Sequence, residues 1–364
     1  MKIIGGYFSF EKLAETENHF FEELCPDSGD LSFLMSGRCA IYYALEDIML
    51  TDHKRVAYVP IYTCETVLAP FEKAGYQLLF YDVDRSMTPV FDPSVLNQIS
   101  VLSLCGYYGF CTYDREFVRL CRECGVRIIE DTTHSILSLD GIDPCCDYIV
   151  GSLRKWIGIP SGGFAVKTHG HFTKKLLKPA FTHLAMRTAA MVEKETWSHS
   201  SDPEAAQKLA AATSVFWDAE LMLRRMFDSY ESDPESINIM KHIDINTIRR
   251  KRQENYRYLL EHLMPSPDLT IVFPVLAKET VPSHFPLFAE NRKQIQDYLK
   301  AYGVSSTVYW PIASVIQLTG HPNAAYIYDH VFSIPCDQRY GLKEMEYICH
   351  LLNQYSKQAN SVEY

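Results

Sequence analysis

Lys155 lies between Leu153 and Trp156 in the run Asp-Tyr-Ile-Val-Gly-Ser-Leu-Arg-Lys-Trp-Ile-Gly-Ile-Pro-Ser-Gly-Gly-Phe-Ala-Val-Lys, residues 147–167. Apolar neighbours penalise an ammonium and lower its pKa, which turns a lysine into a nucleophile toward carbonyls. The same neighbours also suit a surface lysine whose stem covers an aromatic ring. A second group is Glu130-Asp131-Thr-Thr-His134, where an apolar stretch ends in carboxylates and an imidazole. The third is Ser36-Gly37-Arg38-Cys39-Ala40, a small-residue turn ahead of a helical apolar period. A helix opening at Gly37 offers unpaired backbone N–H groups and the positive end of its dipole, and glycine lets an anion approach the backbone. An ordinary capped helix has the same pattern, so phosphate binding and plain capping both stay open there.

These groups need a scaffold that brings them together. The spacing predicts strands over 55–60, 77–81, 100–105, 126–129 and 148–150, and another opening at Phe164. Helices fall between them, one through Val67, Phe71 and Ala74 and one containing Cys121 that stops at Gly125. Strands alternating with helices imply an α/β chain whose mostly parallel sheet is covered on both faces. Such a sheet binds ligands beyond the carboxyl ends of its strands. Collected on that rim are Tyr62, Thr63 and Cys64, then Tyr107 and Tyr108, then Asp131 to His134, then Ser152 to Lys155. Their convergence favours the reactive lysine over the surface one.

Residues from about 170 to 262 read as helices of mixed charge, with Ala205 to Met226 the clearest. The run Arg249-Arg-Lys-Arg252 suits a solvated helix face, or a contact for an anionic substrate or a neighbouring subunit. From His284 the pattern predicts strands over 285–288, 304–309 and 331–334, with helices from Arg292 to Ala301 and from Leu342. The expected division is a large domain over 1–245, helical in 170–245, and a smaller α+β domain over 246–364.

Of the 364 residues 47% are hydrophobic and 22% charged, which suits a folded protein of more than one core. A net charge of −10 has the wrong sign for a general nucleic-acid binder. Met1 to Phe10 lacks an apolar run of leader length, and no apolar run reaches membrane-spanning length, so neither export nor membrane insertion is expected. Eleven cysteines without repeated spacing suggest free thiols in a reducing cytoplasm. Cys121 and Cys124 have the spacing of half a zinc site, but both fall on the helix face of Phe117 and Leu120 and read as core; no metal is expected.

The order Ser-Gly-x-x-Ala, strand-Pro-x-Tyr-Thr, Tyr-Gly, Glu-Asp-x-x-His and Lys with a following Gly-Gly resembles the DegT/DnrJ/EryC1/StrS family of aminotransferases. The likeness extends to the C-terminal part through the Arg292 helix, Gly303-Val304 and Ser333-Ile-Pro335, and leaves out roughly 170–245. It implies a fold type I transferase dependent on pyridoxal 5'-phosphate, with a mostly parallel seven-stranded sheet and a small C-terminal domain. It implies that Lys155 is the Schiff-base lysine and that Asp131 pairs with the pyridine nitrogen. His134 then stands near the ring oxygen or Asp131, and Gly37, Arg38 and Ser152 hold the phosphate. Cys64 stands at the cofactor where the stacking aromatic is usual, so Tyr62 or another ring takes over the stacking. The implied reaction moves an amino group, from glutamate, to a keto acceptor such as a nucleotide-linked ketosugar, in a homodimer. The chain departs from the family at Arg38, where threonine is usual, at Cys64, and in the Asn-Tyr-Arg segment it lacks. Elimination or dehydration on the same cofactor, and a binding-only role, stay open as alternatives.

Overall fold

The computed structural model describes residues 3–13 and 17–361. Met1 and Lys2, the start of the segment read for a leader, and the last residues of the expected small domain lie outside the described residues. Helix α1 (Phe20–Leu24) and strand β1 (Asp30–Leu34) precede helix α2 (Gly37–Ile48). There follow β2 (Val56–Pro60), α3 (Glu65–Lys73), β3 (Gln77–Val83), β4 (Pro89–Val90), β5 (Val101–Cys105), α4 (Arg115–Glu123), β6 (Arg127–Asp131), β7 (Tyr148–Ser152) and β8 (Gly163–Lys167). These strands make one sheet of eight in the order β1-β8-β7-β6-β5-β2-β3-β4. Strands β3, β2, β5, β6 and β7 are parallel, and β8, β1 and β4 add antiparallel edges. The sheet thus has eight strands where seven were expected. Strand β4 pairs through only two residues, Pro89 and Val90, too few to carry an apolar period.

The central strands β2 (Val-Ala-Tyr-Val-Pro) and β5 (Val-Leu-Ser-Leu-Cys) read as nearly continuous apolar runs, as expected of strands covered on both faces. Helix α2 packs against β1, β6, β7 and β8, which sets its N-terminus over the carboxyl ends of β6 and β7. Gly163 allows this approach, since a Cβ there would come within 2.2 Å of the Ser36 carbonyl oxygen. The helices α5 (Phe181–Ser198) and α6 (Ala205–Met222) pack on each other, followed by α7 (Pro234–Met240) and α8 (Ile245–His262). The remaining elements are β9 (Leu269–Ile271), β10 (Phe285–Ala289), α9 (Arg292–Ala301), α10 (Pro322–His330), β11 (Val331–Ile334) and α11 (Leu342–Ser361). Strands β11, β10 and β9 form a second, antiparallel sheet.

Two expectations fail in detail. The stretch 304–309 is not a strand: Val304 bridges Ile4 and Thr307 bridges Ser333, one residue at a time, and the chain then turns Tyr309 and Trp310 toward the rim of the large sheet. Cys121 is buried as expected, but Cys124 is the C-cap of α4 and is exposed. Among the described residues no helix is long and apolar enough to cross a membrane.

The pleat sends neighbouring residues Glu130 and Asp131 to opposite faces of β6. Glu130 is fully buried, accepts hydrogen bonds from the Asp143 N–H (2.7 Å) and the Tyr113 hydroxyl, and is raised by burial from its ordinary 4.5 to about 7. The folded state therefore holds this proton to higher pH than the unfolded chain, and the group costs stability progressively as pH rises from about 4.5 to about 7. Glu130→Gln should flatten the fall of Tm between pH 5 and pH 8. An unchanged slope would show that Glu130 titrates as an ordinary carboxylate.

Candidate active site

Strands β6 and β7 are parallel neighbours with Asp131 opposite Val150, so the turns that leave them lie side by side. The β7 turn is a single 3-10 turn, Leu153–Lys155, capped by the Ser152 hydroxyl, which accepts from the Arg154 N–H at 3.4 Å. Trp156, wholly buried, donates its indole N–H to the Thr133 carbonyl at 2.8 Å and so ties the Lys155 turn to the Asp131 turn.

The Lys155 ammonium lies 4.9 Å from the centroid of the Tyr309 ring, and among the described residues no carboxylate pairs with it. Desolvation, reinforced by the Arg154 guanidinium, lowers its pKa to about 8. Asp131 is buried, and its carboxylate accepts from the Thr133 N–H at 3.0 Å. No cation pairs with it among the described residues, and burial raises its pKa above the usual carboxylate value. Asp131 and Lys155 do not pair with each other. A buried amine without a carboxylate and a buried carboxylate without a cation thus stand on one rim, each lacking an ion partner that a polar ligand could supply.

Helix α2 is capped by the Ser36 hydroxyl, which accepts from the Cys39 N–H at 3.3 Å. A Cβ at Gly37 would stand 3.3 Å from both the Ser152 Cβ and the Thr133 Oγ1. Gly37, Ser152 and Thr133 therefore form a cup of hydroxyls beneath a helix N-terminus. Arg38 keeps its backbone in the first turn of α2, but its side chain leaves the cup. The guanidinium donates to the Leu223 carbonyl and to the Thr66 hydroxyl (2.9 Å) and lies over the Phe227 ring. A charge-assisted phosphate contact from this side chain is thus not formed, because the C-terminal end of α6 captures it.

Tyr62 is enclosed by the rings of Tyr107, Trp310 and Tyr328, with centroids 5.3, 5.6 and 5.0 Å away, and is wholly buried in this aromatic cluster. Its hydroxyl and that of Tyr108 are buried without a well-aligned partner. Cys64 is the N-cap residue of α3, its thiol raised by burial and close enough to Lys155 to feel its charge. His134 does not reach Asp131. It bonds through Nδ1 to the Ser283 hydroxyl at 3.0 Å and packs 4.6 Å from the Trp310 ring.

Several neighbours were not singled out from sequence. Arg154 and Arg187 both pair with Glu220, and the two guanidinia are 8% and 5% exposed, which leaves one positive charge in excess beside Lys155. Arg252, read above as part of a basic helix face, is fully buried. It lies 4.5 Å over the Trp156 ring and donates to the Ser283 carbonyl at 2.7 Å and the Trp156 carbonyl at 3.3 Å. Thr133 was legible from its place between Asp131 and His134. Arg187 and Glu220 sit in the helical segment with no recognisable motif and carried no signal.

No protein-family model matches the chain, and no curated protein does. Solved structures do. Helicobacter pylori PseC, described as an aminotransferase involved in the biosynthesis of pseudoaminic acid, superposes with TM-score 0.68 at 13% identity over 98% of this chain and 100% of that one. A DegT DnrJ EryC1 StrS aminotransferase from Brucella abortus gives 0.64 at 14% identity over 95% and 92%. The PLP-form of the putative sugar aminotransferase Spr1654 from Streptococcus pneumoniae gives 0.65 at 11% identity over 97% and 93%. At these identities the likeness establishes architecture: the chain has the two-sheet α/β fold seen in these aminotransferases, that of fold type I.

Proposed function

We propose that this chain is an aminotransferase that uses pyridoxal 5'-phosphate to move an amino group from an amino acid, glutamate by resemblance, to a keto acceptor, a nucleotide-linked ketosugar. One observation carries the reading: a desolvated amine without a carboxylate, Lys155, and a buried carboxylate without a cation, Asp131, on adjacent strand ends. The residues present fit the cofactor. The Gly37–Ser152–Thr133 cup is narrow, lined by hydroxyls and set at a helix N-terminus, which suits a phosphate. Thr133 and Ser152 supply there the hydroxyls that Arg38 does not.

Bound in this site, pyridoxal phosphate supplies an aldehyde that condenses with amines and a ring that accepts the electrons left when a Cα–H bond breaks. Asp131 would hold the proton on the ring nitrogen, a role its own burial and its bond from Thr133 prepare by fixing its orientation. Lys155 Nζ is the group that takes the proton from Cα of the amino acid and returns it, since its pKa, lowered to about 8, brings its neutral and charged forms close to balance just above neutral pH. Arg154 and Arg187, with their surplus positive charge, favour anionic substrates beside Lys155. The sugar acceptor is supported by the descriptions of PseC and Spr1654. The homodimer belongs to the same reading, and exposed Phe181, Trp217 and Leu221 on α5 and α6 support it.

Borohydride reduction in the presence of pyridoxal phosphate should fix one cofactor on Lys155, read by peptide mass, and Lys155→Ala should abolish it. Because the ammonium is unreactive, initial labelling should rise through pH 8 and level above it. Labelling spread over surface lysines with no such inflection would sink the assignment. Asp131→Asn should lower amine transfer from glutamate by about 10²–10³-fold, the scale of losing one charge aimed at the reacting group. It should leave Tm equal or higher, because a buried unpaired carboxylate is removed. Unchanged transfer would rule Asp131 out of that role.

A further inference from the structure

Four buried or half-buried side chains form an unbroken hydrogen-bonded chain beside Lys155. The Tyr309 hydroxyl lies 2.6 Å from His284 Nε2, His284 Nδ1 lies 3.3 Å from the Ser283 hydroxyl, and that hydroxyl lies 3.0 Å from His134 Nδ1. At one end Lys155 Nζ stands over the Tyr309 ring. At the other, His134 sits on the turn that carries Asp131 and Thr133. Among the described residues Ser283 is the hydrogen-bonded link between the two imidazoles, whose rings lie 6.1 Å apart. It is fully buried, and its position is fixed by its own N–H donating to the Tyr108 carbonyl (2.8 Å) and its carbonyl accepting from Arg252.

From this geometry we propose that Tyr309, His284, Ser283 and His134 are a proton relay serving the Lys155 site, an inference that rests on the aminotransferase reading for its purpose. Two arrangements satisfy the three bonds of the chain, and they run in opposite directions: in the second, Tyr309 accepts and its own proton points out of the chain. In one, Tyr309 O–H donates to His284 Nε2, His284 Nδ1–H to Ser283, and Ser283 O–H to His134 Nδ1. In the other, every bond is reversed. Passing from the second to the first takes up one proton at His134 Nε2 and releases one, the outward proton, from Tyr309. His134 gives its Nδ1 proton to Ser283, Ser283 its own to His284 Nδ1, and His284 its Nε2 proton to Tyr309. Each imidazole changes tautomer, no residue changes charge, and the proton lost from one end equals the proton gained at the other. This requires neutral imidazoles with one N–H and one lone pair each. Burial, with Lys155 and Arg252 nearby, holds both His134 and His284 in that form. Transamination moves protons between carbon, nitrogen and oxygen, and a relay from buried His134 to Tyr309, the one member of the chain with partial exposure, gives those protons a path.

The alternative is a polar staple that only fixes the residues in place. Histidine-selective 15N spectra separate the two. Tyr309→Phe should change the ring-nitrogen shifts of His134, and should change them far less in a Ser283→Ala background, because the signal passes through the hydroxyl. Ser283→Thr should restore the coupling; should Ser283→Ala not fold, Ser283→Cys takes its place. Equal shifts in both backgrounds would mean that coupling runs through ring contacts, and would overturn the relay. In turnover, Ser283→Ala should lower kcat about tenfold with KM unchanged and alter the solvent deuterium isotope effect, a smaller loss than the roughly 10²–10⁴ of a group in direct contact. An unaltered isotope effect would also overturn it. The spectra need no substrate, so they test the relay even if glutamate proves not to be the donor.

Discussion

The bond from the Trp156 indole to the Thr133 carbonyl joins the two turns on which the site depends. One turn delivers Lys155 from the end of β7, and the other delivers Asp131 and His134 from the end of β6. Parallel pairing sets the two turns side by side, but a strand register alone leaves the loops beyond it free to diverge. A wholly buried indole with its N–H satisfied removes that freedom. Arg252 then stacks on the other side of Trp156 and bonds its carbonyl, so helix α8 is keyed to the same residue. The Gln338 side chain donates to that carbonyl as well, at 2.6 Å, and brings in the segment that follows β11. One aromatic residue next to Lys155 thus ties the large sheet to the elements around the small one.

Such a site is expensive to fold. A desolvated amine and a buried carboxylate with no ion partner each oppose folding, and strain of this kind is characteristic of sites prepared for a ligand. The surroundings offset the cost with satisfied polar groups. Arg252 spreads its charge over carbonyls and the Gln338 side chain, and Glu220 neutralises one of two arginines from α5 and the β7 turn. Helices α5 and α6, which resemble no motif by sequence, therefore act on the site in two ways. They supply Arg187 and Glu220, and their end captures the Arg38 side chain through the Leu223 carbonyl.

Most of the large sheet was legible because its strands are long apolar runs separated by helical periods, and its rim followed from the parallel order. Residues 37, 131, 152 and 155 could be gathered because each stands at an element's end, where local sequence fixes position. What escaped notice depends on contacts distant in the chain. Tyr309 and Trp310 sit where Val304-Ser-Ser-Thr-Val-Tyr309, rich in β-branched residues, mimics a strand, yet isolated bridges on two sides hold it instead of a ladder. Arg252 lies in a basic run whose neighbours face solvent, and only the arrival of Trp156 and Ser283 buries it. Tyr62 has the right position for a stacking ring, but three rings from other segments enclose it.

The claim that Lys155 and Asp131 are two ends of one cofactor site is tested most directly by a crystal structure of the protein grown with pyridoxal phosphate. The account predicts continuous density from Lys155 Nζ to the cofactor, its phosphate in the Gly37–Ser152–Thr133 cup and its ring nitrogen within hydrogen-bonding distance of Asp131. Cofactor density elsewhere, or in the cup but unattached to Lys155 and remote from Asp131, would contradict it.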